Sequence, residues 1–315
     1  MPKPTMTVGV LGAGAVGCYF GARLSQHGTA VTLIARQAHA EAIARDGLII
    51  KGVDRTDVVP IPVATDVSAI GSADVVLVTV KSVDTGASAA LIAAQVSPGS
   101  LVVSLQNGVD NAWRLREGMP NAVVPAVVYV STEMSGPGIV RHNGGGRIVV
   151  GAPLASDGQQ ALANTQLDGL IAQFQAAGVP CVRSADIRVD LWTKLATNCA
   201  YNAISATTGA RYGVIASQEE ARQVMAAATD ELVAVAQAEG VALDAAVAHA
   251  AVWKIAEVMP GALSSTAQDV QAGRRTEIDG LNGYVVRRGL ALGVATPVNH
   301  TLMSLVKILE QSARV

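Results

Sequence analysis

The sequence predicts an α/β protein: an N-terminal Rossmann-type doubly wound parallel sheet followed by a C-terminal all-helical domain. Three observations support this prediction. Short apolar runs alternate with helical stretches before about residue 185, a glycine-rich turn follows the first run, and the later sequence is nearly all helical in pattern. Continuously apolar runs are typical of strands buried on both faces of a parallel sheet. We therefore expect two domains, residues 1–185 and residues 186–315.

Each element of the first domain is predicted from a β-rich run or from a helical pattern. The predicted strands cover residues 7–11, 30–34, 74–80, 100–105 and 179–183. Helices are expected from the first glycines to about His27, over 85–96 and over 158–177. Residues 121–150 contain β-rich pieces broken by GPG and GGG, and we expect hairpins there at the sheet edge.

The second domain is predicted to consist of helices. Helical patterns cover residues 185–206, 217–240, 244–259 and 275–293. Gly240 and Gly293 stand where C-terminal caps are expected, and Pro297 stands at the start of a final helix. We therefore expect the second domain to be helical from its first residues to its last helix.

Composition and charge exclude several classes of partner. The 315 residues include 23 Lys and Arg against 25 Asp and Glu, giving a net charge of -2, and only 3% are aromatic. A nucleic-acid-binding face is usually basic, so nucleic acid is not an expected partner. No run of about 18 apolar residues predicts a membrane span. The first ten residues have no apolar signal-peptide core, so we expect a cytoplasmic protein.

Cysteines and histidines do not form a metal-binding pattern. Cys18, Cys181 and Cys199 are far apart, and none of the five histidines has metal-ligand spacing to another His or a Cys. Three unpaired cysteines are typical of a reducing compartment. We therefore expect free thiols and no metal cofactor.

A glycine motif follows the first predicted strand and opens a predicted helix. The motif reads Gly12-Ala13-Gly14-Ala15-Val16-Gly17, which fits G-x-G-x-x-G. In this context the first glycine permits a tight turn, the second lets the backbone approach a pyrophosphate, and the third lets the helix pack on the strand. The motif favours a dinucleotide site, and a glycine turn without a ligand is the alternative.

Arg36 ends the second predicted strand, about 20 residues after the middle glycine, where NAD-binding proteins usually carry an acid. An acid repels a 2′-phosphate, whereas a guanidinium forms charge-assisted hydrogen bonds with it. The next residue, Gln37, is also uncharged. Arg36 therefore predicts NADP(H) in preference to NAD, with a surface arginine as the alternative interpretation.

Two further residues follow strands of the same predicted sheet. Lys81 ends the run DVVLVTVK, and Asn107 lies in SLQNG after the run SLVVSL. Ligands of such sheets bind at the carboxyl ends of the strands, where Gly12 and Arg36 are also expected. A solvated lysine and a turn-forming Asn-Gly are the alternatives when each residue is considered alone.

The helical domain contains a polar stripe. Lys194, Asn198 and Asn202 recur every four residues, so they share one helix face. A polar pocket wall and a solvated helix face both fit this pattern. A second set of polar residues has two similar interpretations, a binding site or ordinary helix capping with surface ion pairs. Its members are Ser264, Ser265, Asp269, Thr276, Glu277 and Asp279.

Together these motifs resemble those of the ketopantoate reductase (2-dehydropantoate 2-reductase) family over essentially the whole chain. The matching pieces are GAGAVGCYFGARL, VTVKSVDT, SLQNGVDN, LWTKLATNCAYNAIS and SSTAQDVQAGRRTEIDGLNG. The resemblance implies reduction of a 2-oxo acid by NADPH in a cleft between an NADP-binding domain and a substrate-binding domain. It further implies that the substrate is ketopantoate, reduced to pantoate for coenzyme A biosynthesis.

The resemblance also implies roles for individual residues. The implied catalytic residues are Lys194, the proton donor, and Glu277, which is expected near the substrate and the nicotinamide ribose. Asn107 is expected to bridge cofactor and substrate, and Ser265 to hold the substrate carboxylate. Further substrate contacts are Asn198 and Asn202. The implied cofactor contacts are Gly12, Ala13, Gly14, Ala15, Val16, Gly17, Arg36, Lys81, Asn107 and Glu277.

The chain departs from the family pattern where substrate is expected to bind. The loop after the Lys-Asn-Asn helix has Arg211 and Tyr212 in place of a substrate-binding asparagine, and Thr266 replaces the usual methionine. Another 2-oxo acid, ketone or imine is therefore an alternative substrate, and a non-catalytic NADPH sensor is an alternative of another class. A homodimer is a possible assembly.

Overall fold

The computed structural model describes residues 6–312, so part of the N-terminal segment considered for a signal peptide lies outside it. Backbone contacts divide the chain into two compact units. One unit contains Asp110–Ile187 and the described residues up to Gln106, and the other contains Asn107–Val109 and the described residues from Arg188 onward. Within the described residues, no helix is long and apolar enough to cross a membrane.

The first unit is built on one ten-stranded sheet with order β4-β3-β9-β8-β7-β6-β1-β2-β5, and β10 pairs with β9. Its strands are β1 (Thr7–Leu11), β2 (Ala30–Ile34), β3 (Leu48–Lys51), β4 (Thr56–Val59), β5 (Val63–Ala64), β6 (Val75–Val78), β7 (Leu101–Ser104), β8 (Val123–Gly136), β9 (Ile139–Val150) and β10 (Cys181–Arg183). Its helices are α1 (Ala15–Gln26), α2 (Gln37–Asp46), α3 (Thr85–Gln95), α4 (Asn111–Gly118) and α5 (Gln160–Ala176).

The centre of the sheet is parallel, as predicted. Strand β1 pairs in parallel with β2 and with β6, and β6 pairs in parallel with β7. Every residue of β6 and β7 is buried, because helices cover both faces of a doubly wound sheet. The predicted α/β class with a Rossmann-type parallel sheet is confirmed.

The hairpin over 121–150 does not lie at the sheet edge, and this part of the prediction is wrong. Strands β8 and β9 form one long antiparallel pair, and β3 pairs in parallel with the far side of β9. The edge on that side is β4, which is antiparallel to β3. Strands β3 and β4 were not predicted, because each has only four residues and both are partly exposed.

The second unit is helical, as predicted. Its helices are α6 (Ile187–Thr208), α7 (Tyr212–Ser217), α8 (Glu219–Ala238), α9 (Ala245–Val258), α10 (Ser265–Gln271), α11 (Asn282–Leu292) and α12 (Pro297–Ser312). Gly240 (φ +73°) follows the end of α8, and Gly293 (φ +71°) caps α11 in the left-handed conformation. Both glycines stand where the sequence predicted helix ends.

The helix predicted over 275–293 begins later, at Asn282. Gly273 has a φ of +62° and ends the preceding helix. The backbone N–H of Thr276 then donates to the Glu310 carboxylate at 2.6 Å, which fixes the segment against α12. This tertiary contact replaces helical hydrogen bonding before Glu277.

Buried amides hold α6 against its neighbours in the helical unit. Asn282 donates to the Cys199 carbonyl at 3.1 Å and to Asn299 at 3.0 Å. Asn299 donates to the Ala228 carbonyl at 2.9 Å. These donated hydrogen bonds fix the register of the helices that they join.

Candidate active site

The glycine loop after β1 has the backbone conformation that its sequence predicts. Gly12 has a φ of +101°, which favours glycine, and a Cβ there would lie 2.9 Å from the Val80 nitrogen. The Thr79 hydroxyl donates to the Gly12 carbonyl at 2.5 Å and so ties this turn to the end of β6. Gly12 is therefore required for the turn itself.

Gly14 and Gly17 have different surroundings. A Cβ at Gly14, the residue before α1, would meet no protein atom within 4 Å, whereas a Cβ at Gly17 would lie 2.6 Å from the Gly12 carbonyl oxygen. The space beside Gly14 is therefore open, and Gly17 is packed tightly. Ala13 is buried, and Ala15 and Val16 are half-buried in the first turn of α1. This open cradle at a helix N-terminus fits a pyrophosphate.

Arg36 is exposed and immediately precedes α2, a helix that the sequence analysis did not predict. Neighbouring Gln37 donates to Glu41 at 2.5 Å, so the nearby carboxylate is engaged within α2. Within residues 6–312 the Arg36 guanidinium has no ion-pair partner. A guanidinium beside a helix N-terminus is suited to an anion, because the helix dipole and the charge act together.

A buried polar network supports the loop after β6. Lys81 is half-buried and follows the last residue of β6 by three positions. Gln106 donates to the Val80 carbonyl at 3.2 Å and to the Thr85 hydroxyl at 2.8 Å, and the Thr85 hydroxyl donates to Asn111 at 2.9 Å. No local sequence pattern singles out Gln106, Thr85 and Asn111, which position the backbone around Lys81.

Lys194, Asn107 and Glu277 lie together in the helical unit, and we call them the lysine cluster. The Lys194 ammonium donates to the Asn107 amide oxygen at 3.1 Å, and the Asn107 amide nitrogen donates to the Glu277 carboxylate at 3.2 Å. An ammonium has only donors and a carboxylate only acceptors, so this arrangement fixes the orientation of the amide. Asn107 thereby holds the ammonium at a defined position.

Burial perturbs the Lys194 ammonium. Desolvation lowers the pKa of Lys194 from 10.5 to about 8, and the opposing charge of Glu277 limits this fall. The group is therefore protonated below about pH 8 and gives up its proton more readily than an ordinary lysine. A pKa near the working pH is characteristic of a general acid.

The remaining predicted substrate contacts lie on α6 and at the start of α10. Asn198 is half-buried, Asn202 is buried and Ser265 is exposed. Ser264 has a different role from Ser265. Its hydroxyl accepts from the Ala267 N–H at 3.0 Å and donates to the Asn202 carbonyl at 3.2 Å, which joins α10 to α6.

The loop that departs from the family pattern packs against the segment before α10. The Arg211 guanidinium donates to the Gly261 carbonyl at 2.5 Å, and the Tyr212 backbone N–H donates to the Ala262 carbonyl at 3.0 Å. The Tyr212 ring contacts the Tyr201 ring with centroids 4.6 Å apart. Tyr201 was not predicted as a site residue, although it lies seven residues after Lys194 and therefore on the same face of α6.

The fold and the two sites define the class of protein: a Rossmann-type oxidoreductase with a helical second domain. Comparison with known proteins identifies the family. A family model described as Ketopantoate reductase PanE/ApbA matches residues 8–154, and the model of its C-terminal domain matches residues 186–310. The chain belongs to the ketopantoate reductase family.

Relatives and solved structures resemble the chain over nearly its full length. A 2-dehydropantoate 2-reductase from Halobacterium salinarum is 33% identical over 97% of this chain and 99% of its own. The structure of a PanE/ApbA family ketopantoate reductase from Ralstonia eutropha is 45% identical, with a TM-score of 0.89 over 98% of this chain and all of its own. D-mandelate dehydrogenase bound to NADH and anilino(oxo)acetate is 25% identical, with a TM-score of 0.90 over the same shares.

Proposed function

We propose that the protein catalyses the NADPH-dependent reduction of ketopantoate (2-dehydropantoate) to pantoate, a step of pantothenate and coenzyme A biosynthesis. The lysine cluster carries this proposal, because it presents a partly desolvated ammonium held by an amide and a carboxylate. Membership of the ketopantoate reductase family and relatives named 2-dehydropantoate 2-reductase support the choice of substrate.

The glycine loop and Arg36 are the proposed cofactor contacts. The open space at Gly14 and the N-terminus of α1 suit the pyrophosphate, and exposed Arg36 at the start of α2 suits a 2′-phosphate. Lys81 and Asn107 are proposed to extend the cofactor site. A bound nicotinamide supplies the hydride for the carbonyl carbon of the substrate.

Lys194 acts as the proton donor in this proposal. Its ammonium donates a hydrogen bond to the substrate ketone oxygen, stabilises the negative charge that develops there and then transfers a proton to it. Asn107 orients the ammonium, and Glu277 contacts the substrate and the nicotinamide ribose. Asn198 and Asn202 hold the substrate, and Ser265 binds its carboxylate. These roles follow the resemblance of the motifs and the positions of the side chains in the helical unit.

A different 2-oxo acid is the second candidate. D-mandelate dehydrogenase, the structural neighbour at a TM-score of 0.90, is bound in that structure to an aryl-substituted oxoacetate and NADH. The Tyr212 ring, 4.6 Å from the Tyr201 ring, belongs to the loop where the chain departs from the family pattern. A third candidate, a cofactor sensor without catalytic activity, would bind NADPH and reduce no carbonyl. That candidate leaves the lysine cluster without a function.

The test is NADPH oxidation by the protein with ketopantoate beside a panel of other 2-oxo acids, ketones and imines. We expect the highest kcat/KM for ketopantoate. The rate is expected to fall as pH rises through about 8, because the reduction needs protonated Lys194 and its pKa is about 8. A higher kcat/KM for an aryl or other 2-oxo acid would make that acid the proposed substrate in place of ketopantoate. Tight NADPH binding without turnover of any carbonyl would favour the cofactor sensor.

Three further features of the protein belong to the same proposal. We retain residue 185 as the boundary between the cofactor-binding and substrate-binding domains. We also propose that the enzyme works in the cytoplasm, in keeping with three free, buried cysteines. A homodimer is the proposed assembly. Limited proteolysis, cell fractionation and sedimentation test these three points separately.

A further inference from the structure

We propose that Lys307 and Glu310, on α12, are positioning residues that hold Glu277 beside Asn107 and Lys194. We call Lys307 and Glu310 the α12 pair. The inference rests on the proposed function in one respect, because Lys194 is taken there as the proton donor. It assigns a contribution to catalysis to α12, a helix that contains no residue of the lysine cluster.

Glu277 lies outside the α-helices of its unit. Helix α10 ends at Gln271 and α11 begins at Asn282, and a 3₁₀ turn, Ile278–Gly280, lies between them. Glu277 is half-buried and directly precedes that turn. Backbone groups outside a regular helix need other hydrogen-bond partners. The contacts on either side of Glu277 therefore decide where its carboxylate lies.

The Glu310 carboxylate binds the backbone immediately before Glu277. The Thr276 N–H donates to this carboxylate at 2.6 Å, and the Thr276 hydroxyl accepts from the Ile278 N–H at 3.2 Å. The Glu310 side chain is only 9% exposed, and Thr276 is 5% exposed. A hydrogen bond to a carboxylate is stronger than one between neutral groups, and shielding from water strengthens it further. Glu310 therefore fixes the backbone on the N-terminal side of Glu277.

Lys307 holds the other side of Glu277. Its ammonium donates to the Asp279 carboxylate at 2.8 Å and lies 3.9 Å from the Glu310 carboxylate. Exposed Arg275 adds a weaker contact with Asp279 at 3.6 Å. Burial raises the pKa of Asp279, but the hydrogen bonds and charges of Lys307 and Arg275 outweigh burial and hold this pKa below its usual value. The contact between Lys307 and Asp279 therefore persists at neutral pH.

The α12 pair thus binds the segment on both sides of Glu277. Its two members are three residues apart, so they lie on one face of α12. The Glu277 carboxylate accepts from the Asn107 amide nitrogen at 3.2 Å, and the Asn107 amide oxygen accepts from Lys194 at 3.1 Å. A shift of Glu277 by about 1 Å would break the first of these bonds. It would also weaken the opposite charge that favours the ammonium form of Lys194.

The experiment measures the pKa of Lys194 in the free protein from the pH dependence of its labelling by a small amine-reactive reagent, read by mass spectrometry. Lys194 is half-buried, so such a reagent can reach it. Glu310→Ala should lower this pKa from about 8 to about 7–7.5, because Glu277 moves away from the ammonium. The same variant should lower kcat for 2-oxo acid reduction by about tenfold.

Glu310→Gln separates the position of Glu277 from the charge of Glu310. The glutamine amide oxygen can still accept from the Thr276 N–H, so we expect the pKa of Lys194 and kcat to remain near their wild-type values. A double variant tests the route. In Glu277→Gln the pKa of Lys194 should already be low, and adding Glu310→Ala should lower it no further, because Glu310 acts through Glu277.

Lys307→Met and Asp244→Ala complete the set of variants. Lys307→Met keeps the apolar stem and loses the bond to Asp279, so it should lower the pKa of Lys194 by a smaller amount. The Asp244 carboxylate accepts from the Ala246 N–H at 2.7 Å before α9, a helix that contributes no residue to the lysine cluster. Asp244→Ala should therefore lower the Tm and leave the pKa of Lys194 unchanged.

An unchanged pKa of Lys194 in Glu310→Ala overturns the inference. An equal fall in Glu310→Gln also overturns it, because the charge of Glu310 would then act directly, and so does a further fall in the double variant. If Glu310→Ala does not fold, an unchanged pKa in Lys307→Met overturns the inference.

The labelling needs neither cofactor nor substrate, so the two proposals fail separately. Wild-type protein that reduces no 2-oxo acid overturns the proposed function, whereas the labelling still decides whether the α12 pair holds Glu277.

Discussion

The glycine loop and the lysine cluster differ in how they provide positive charge to a ligand. The loop offers backbone N–H groups at the start of α1, beside the open space at Gly14. Exposed Arg36, in the same unit, adds a guanidinium charge. The lysine cluster instead holds a partly desolvated ammonium by a chain of two side-chain hydrogen bonds. Phosphate can be bound by backbone N–H groups and by a charge that persists at the working pH, whereas proton donation needs a group that can lose its proton.

The physical surroundings account for this difference. A guanidinium stays protonated at any working pH, and its exposure leaves it fully solvated until a ligand arrives. Desolvation instead lowers the pKa of Lys194 to about 8, while Glu277 keeps the charged form accessible. Burial therefore suits Lys194 to chemistry, and exposure suits Arg36 to binding. Substitutions in the two regions should affect different steps.

The largest expected effect is that of Lys194→Ala on turnover. The variant should lower kcat for 2-oxo acid reduction by about 10²–10⁴-fold, the usual contribution of a positioned general acid. Its affinity for NADPH should change little if phosphate binding depends on the glycine loop. The Tm should change little, because the variant relieves the desolvation of the ammonium but also removes its hydrogen bond to Asn107. Stopped-flow NADPH oxidation, fluorescence titration and thermal melting measure the three quantities.

Lys254→Ala is the control for this variant. Lys254 is exposed on α9 and pairs with Glu257 at 2.8 Å, so its loss removes a surface charge only. We expect normal turnover. Near-normal hydride transfer by Lys194→Ala would show that Lys194 is not the proton donor, whatever the substrate.

The glycine loop and the lysine cluster also differ in how much of their structure can be predicted from the sequence. The glycine loop, the strand before it and the helix after it are contiguous, so local backbone rules predict them well. Lys194 and Asn107 are 87 positions apart, and Asn107 and Glu277 are 170 apart. Helix periodicity put Lys194 on a polar face, but only the resemblance to a family connected it with Asn107 and Glu277. The contact itself depends on tertiary packing.

The missed elements have the same physical origin. Helix α2 begins directly after Arg36 and has one large apolar residue, Ile43, so periodicity gave little signal. Gln106 and Thr85 form side-chain hydrogen bonds across two loops, and no local pattern specifies such pairs. The irregular segment before Glu277 depends on Glu310, a residue of the last helix. Local propensity predicted the elements, and long-range polar contacts decided where several of them begin.

Arg36→Ala should have the next largest effect, confined to cofactor choice. Loss of one charge-assisted contact to a 2′-phosphate should weaken NADPH binding by about 10–100-fold. NADH binding should be nearly unchanged, because NADH has no 2′-phosphate. Titration of both cofactors by fluorescence measures the change in preference, and raising the salt concentration should reduce it.

Arg45→Ala serves as the comparison for Arg36→Ala. Arg45 lies on the same helix and pairs with Asp46 at 2.6 Å, so its removal alters the net charge equally. We expect both cofactor affinities to remain as in wild type. Equal affinity for NADPH and NADH in wild type, unchanged by Arg36→Ala, would refute the phosphate contact and leave Arg36 as a surface residue.

The smallest expected effects separate the second glycine of the loop from the third. Gly14→Ala should leave the free energy of unfolding within about 1 kcal/mol of wild type, because a Cβ there meets no protein atom within 4 Å and the reduced freedom of the unfolded chain offsets the poorer N-cap that alanine makes. It should weaken NADPH binding about tenfold, since that space is proposed for the pyrophosphate. Gly17→Ala should instead destabilise the fold by about 1–3 kcal/mol, because its Cβ would lie 2.6 Å from the Gly12 carbonyl oxygen.

Gly158→Ala, at an exposed turn where a Cβ also meets nothing, is the control for both glycine variants and should change neither quantity. Urea unfolding and NADPH titration distinguish the variants. Weakened NADPH binding without lost stability in Gly14→Ala is the result expected of a ligand-facing glycine. If Gly14→Ala bound NADPH as tightly as wild type, the pyrophosphate would have to lie elsewhere, and the glycine loop would be a structural turn that packs α1 on β1.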